Sequence, residues 1–113
     1  MAEVTIKAAY ASVVEDDGML FVGFAQGEDA DEPYVLFRQP VTGGPIWFEV
    51  SDETFGAPDA VGSIAFEKDR IVIGIAAAHM ATMGFVDRVT VEVGPDCDSA
   101  EEAIAALRAM YPV

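Results

Sequence analysis

The chain predicts an α+β domain: an antiparallel sheet of about six to seven short strands closed by one C-terminal amphipathic helix. Three observations carry that expectation. Apolar stretches with period-two alternation recur from residue 3 to residue 93, punctuated by Gly-, Pro- and Asp-rich turns. A single stretch with three- and four-residue spacing follows them. At 113 residues and 52% hydrophobic, the chain has the size of one domain and the apolar content to fold despite its charge.

The first strand spans residues 3–14, where alternation puts Val4, Ile6, Ala8 and Tyr10 on one face. Asp17-Gly18 accepts positive φ and turns the chain into a second strand, residues 19–25. A polar loop leads to a third strand, residues 34–38. A turn at residues 40–45 precedes a fourth, residues 46–50, with Ile46, Phe48 and Val50 on one face and Trp47 and Glu49 on the other. Residues 51–62 are rich in Gly, Pro and acids and read as an irregular connection. A hairpin with its tip at Lys68-Asp69 follows, placing Ile71, Ile73 and Ile75 on one face of its returning strand.

Residues 76–84 have helix-forming composition closed by Gly84, which predicts one short helix or turn. The last strand alternates over residues 88–93, and residues 95–98 read as a loop. Ser99 with Glu102 has capping-box spacing for a helix over residues 99–111. Ile104 and Leu107 lie on its apolar stripe, and Pro112 stops it.

Bulk properties narrow the function classes. Six Lys plus Arg against twenty Asp plus Glu give a net charge of -14, a surface that repels phosphate backbones and argues against nucleic acid. No apolar run reaches the roughly 20 residues a bilayer span needs, and the first residues lack the pattern of a secretory leader. One cysteine allows no internal disulfide, so the expectation is a cytoplasmic protein. The acidity itself fits simple solubility or a basic partner steered by complementary charge.

Residues suited to catalysis are sparse. His79 and Cys97 are single, and a dyad would need contact between them; the aspartates flanking Cys97 disfavour its thiolate. One Cys and one His are too few for a structural zinc site. The acids of residues 28–32 lack the spacing of a calcium loop, and Gly43-Gly44 and Gly62 lack phosphate-loop context. The expectation is a protein without catalytic residues, cofactor or metal.

Two features point to binding. Trp47 lies on the face opposite Phe48, where it serves either as an interface anchor or as part of a second layer covering the sheet. Acids also cluster at residues 15–17, 28–32 and 52–53, forming one negative patch if those loops share an edge. The candidate partner-binding residues are Asp29, Asp31, Glu32, Trp47, Asp52 and Glu53.

The order of several segments resembles a known family. Glu32-Pro33-Tyr34-Val35-Leu36-Phe37-Arg38, Ile46-Trp47-Phe48-Glu49-Val50, Phe55-Gly56, Gly62, Lys68-Asp69-Arg70 and the helix from Glu102-Ala103 to Leu107 resemble the tenth family of bacterial immunity proteins of polymorphic toxin systems. The resemblance runs through most of the chain and includes no catalytic signature. It implies a non-enzymatic cytoplasmic protein that binds a cognate toxin domain and blocks it. A basic toxin would suit the charge of this chain. The alternative from another class is a small homo-oligomeric or ligand-binding domain, for example a homodimer pairing through apolar sheet faces.

Overall fold

A computed structural model describes residues 2–29 and 31–112; Met1, Ala30 and Val113 lie outside the described residues. Eight strands form one sheet: β1 (Ala2–Asp16), β2 (Met19–Ala25), β3 (Tyr34–Pro40), β4 (Trp47–Val50), β5 (Gly56–Pro58), β6 (Val61–Phe66), β7 (Arg70–Ile75) and β8 (Val86–Asp98). One helix, α1 (Ala100–Met110), follows. The class is α+β, as the alternation and the C-terminal stripe predict, but the sheet is mixed and has one strand more.

The order is β5-β4-β3-β2-β1-β8-β7-β6, and β1 and β8 run parallel. An entirely antiparallel sheet is therefore corrected. Period-two alternation is the same in both orientations, and the parallel pair joins segments from opposite ends of the chain, where no turn signal can report it. The extra strand, β5, lies inside the stretch expected to be irregular. Its three residues are too few to show alternation, yet Ala57 pairs with Phe48 and is buried. β8 also outruns its expected limits: Tyr10 pairs with Asp98, so the segment read as a loop is strand and Cys97 is buried.

β1 is the spine. Its first half pairs with β8 and its second half with β2, and the handover falls at Tyr10. The β1–β8 register shifts between Ala8 and Tyr10, a bulge that reverses the alternation. Ile6 and Ala8 face the core before it, and Ala11 and Val13 after it. Tyr10, expected beside Ile6 and Ala8, is thereby turned outward and exposed.

β5 and β6 are opposite edges of the sheet, yet only Asp59 and Ala60 join them. The strand ends Pro58 and Val61 are three residue steps apart and can stand at most roughly 11 Å from each other, so both edges must meet at one corner and the sheet must curl. The Asp59 N–H donates to the Ile46 carbonyl and the Ala76 N–H to the Ala60 carbonyl, tying that corner to both flanks.

The helix closes the concave side of the curl. Ala103 and Leu107 are fully buried there, and Tyr111 stands edge-on to Phe37, which packs against Phe48 with centroids 4.8 Å apart. Ile104, expected to be buried, is half-buried at the margin of the stripe. The capping box does not form. Ser99 has φ 62°, in the left-handed region, and its hydroxyl makes no capping bond, because capping needs the extended backbone that Ser99 has left.

Candidate partner-binding surface

Two acid-rich loops leave the sheet side by side. The Ser51 N–H donates to the Tyr34 carbonyl and the Tyr34 N–H to Ser51 Oγ, so the loop before β3 and the loop after β4 share a base. The first loop carries Asp29, Asp31 and Glu32, closed by a Gln26 N–H bond to the Pro33 carbonyl. Asp29 and Asp31 are exposed, whereas Glu32 is half-buried because it folds back over Gly27.

Asp52 and Glu53 open the second loop and are exposed. Asp52 Oδ1 accepts from the Thr54 N–H at 2.8 Å and the Thr54 hydroxyl at 2.9 Å, bonds that hold its carboxyl below the usual range and shape a turn at Glu53–Phe55. Neither loop contains a Lys or Arg.

The third acid cluster does not join them. Glu15, Asp16 and Asp17 sit at the β1–β2 hairpin, beside Pro40 at the other end of β3. The seven residues of β2, at roughly 3.3 Å each, put roughly 20 Å between the two ends. The single patch of all three clusters is therefore corrected to two separated ones.

Trp47 lies on the convex face and is half-buried. No helix covers it. The Arg38 guanidinium stacks on its ring at 4.5 Å from the centroid, and its indole N–H donates to Glu49 Oε1 at 2.8 Å. Gly56, across from Glu49 on β5, makes room for the indole: a Cβ there would stand 2.6 Å from Trp47 Cζ2.

Glu49 is 5% exposed, and its other oxygen accepts from the Tyr34 hydroxyl. Burial, that hydrogen bond, and the negative charges of Glu49, Asp52 and Glu53 hold the Tyr34 phenol protonated well above its ordinary range. Trp47, Glu49, Tyr34 and the second acid loop thus form one continuous strip, which alternation alone shows only as outward positions.

Two aromatic side chains outside the expected site residues are exposed. Phe55 is 45% exposed and Phe85 63% exposed. Phe55 lines an open groove of about 240 Å³ with Val4, Val50, Met83 and Val86, at the mouth of the core beside the acid loops. Both lie in segments without alternation, where hydrophobic residues give no face assignment.

His79 and Cys97 lie apart. His79 lies on the turn before β8 and Cys97 near its far end, so the strand separates them. Burial and Asp98 push the Cys97 thiol up, away from the thiolate. Among the described residues no three metal-ligating side chains gather, and no helix is long and apolar enough to cross a membrane.

No family model, curated protein or solved structure matches the chain.

Proposed function

We propose that the chain is a toxin-neutralising immunity protein, acting in the cytoplasm by binding a basic toxin domain and covering its active cleft. One observation carries this reading: the Tyr34–Ser51 backbone pairing puts Asp29, Asp31, Glu32, Asp52 and Glu53 at one end of the sheet, in loops without a compensating cation. Such a field accelerates encounter with a positive surface and repels a like-charged one. A homodimer formed through this end would set the same acids against each other, so the reading gives the partner opposite sign. Trp47 forms the shoulder of the surface, braced by Arg38 and Glu49.

Inhibition by occlusion needs neither nucleophile nor cofactor in this chain. The test is co-expression with a basic toxin domain encoded beside it. Rescue of host growth and a stable complex are expected. Rescue should fail when the five acids are changed to lysine, and absence of both rescue and complex with the unmodified chain overturns the reading.

A further inference from the structure

We infer that Phe55 and Phe85 are the apolar anchors of this surface, and that their groove receives an apolar side chain flanked by lysines or arginines on a basic polypeptide partner. The inference rests on the reading that this end docks a basic partner, and it names where affinity beyond charge attraction arises.

Phe85 is the decisive residue. Its φ is 62°, and it follows Gly84 at φ 68°, so the chain makes two consecutive left-handed residues there. The other non-glycine residues at positive φ among the described residues are Asp17, Ser51, Asp59 and Ser99, all small and polar. That backbone disfavours a Cβ, and least of all suits a bulky ring. The ring gains little burial in return, being 63% exposed. Folding would be served better there by Gly or Asn, so stability does not account for a phenylalanine at this position.

Phe55 is the second exposed ring at this end. It ends its turn half out of the core, with ring atoms beside Gly84, close enough that a Cβ on Gly84 would stand 3.3 Å from Phe55 Cε1. Phe55 thus lines a groove with Val4, Val50, Met83, Gly84 and Val86, and Phe85 stands between two of those residues in the chain, at the groove's margin. Asp52 and Glu53 lie in the same loop as Phe55, which puts an acid rim against an apolar floor. Charge complementarity selects the occupant: a second copy brings like charges together, whereas a lysine- or arginine-flanked apolar side chain satisfies both parts.

The test uses the full isotope-labelled chain and three short synthetic peptides: lysines around a central Leu-Phe pair, glutamates around the same pair, and lysines around a pair of serines. The first should shift the backbone amides of Asp52, Glu53, Gly84 and Phe85, and the second should shift none. The third should bind about tenfold more weakly or worse. Phe85→Asn should weaken the first peptide by a similar factor without lowering the melting temperature, since Asn accepts left-handed backbone. Phe55→Ser should do the same to binding.

The inference is overturned if none of the peptides shifts these amides, or if both lysine peptides bind alike. It is also overturned if both variants bind as the parent does, or if the same amides shift with protein concentration alone, which would make a second copy the occupant. Growth rescue retained in both variants but lost on acid reversal would refute the anchors and leave the proposed function standing.

Discussion

The Tyr34 hydroxyl donates a 2.5 Å hydrogen bond to Oε2 of Glu49, and the Trp47 indole holds the other oxygen of the same carboxylate. Glu49 is thus a buried acid stabilised by two neutral donors on the convex face of the sheet. Removing one donor strands part of a desolvated carboxylate. Tyr34→Phe should cost about 1–3 kcal/mol in urea unfolding, and Trp47→Phe a similar amount. Because both act on one carboxylate, their combined effect should depart from the sum of the two. Additive, near-zero effects would show that Glu49 does not depend on them.

Tyrosine ionisation gives a second test. In an unfolded chain phenols titrate near about 10. In the fold, burial and then Glu49 keep Tyr34 protonated above that value, and burial and then Asp59 do the same for Tyr111. The unfolded chain therefore gives up these protons first. Their contribution is complete below pH about 10, and stability falls as pH rises beyond it. Tyrosinate absorbance should show Tyr34 and Tyr111 ionising only in strong alkali or on unfolding. Ionisation of either phenol near the ordinary value in the folded protein would contradict this.

Gly56→Ala should destabilise the β4–β5 edge. Its Cβ would stand 2.6 Å from Trp47 Cζ2 and 2.8 Å from Glu49 Cβ, so the indole or the strand must shift, at a cost of about 1–3 kcal/mol. Trp47 is the single tryptophan, so its fluorescence should change with the substitution. An unchanged spectrum and unchanged stability would place the indole elsewhere.

At the helix, Leu107→Ala should cost about 2–5 kcal/mol because its side chain is fully buried. Ser99→Gly should be neutral or stabilising by up to about 1 kcal/mol, since the left-handed backbone favours glycine and no capping bond is lost. A loss of stability on Ser99→Gly would restore a capping role for its hydroxyl.

Much of the fold is legible in the sequence. The alternation in residues 46–50 and 71–75 marks Phe48, Val50, Ile71, Ile73 and Ile75, all buried. What escapes are relations between distant segments: the parallel pairing of β1 with β8, the corner at Asp59-Ala60, and the bulge that turns Tyr10 outward. None has a local signature in the residues that form it. The candidate surface divides the same way. Acid clusters are plain in the chain, but only the pairing of Tyr34 with Ser51 separates the clusters that converge from the hairpin that stands apart. Phe85 is conspicuous only once its φ is known.

The central claim is that one end of the sheet, and not acidity in general, recognises a basic partner. The most direct measurement is the affinity of a basic toxin domain, of the kind the proposed function calls for, for two variants of equal charge change. One reverses Asp52, Glu53 and Asp31 to lysine, and the other reverses Glu15, Asp16 and Asp17. The first should lose affinity by about a hundredfold or more, mostly through slower association at low salt, and the second should stay close to the parent. Equal losses in both variants, or no loss in either, would contradict the account.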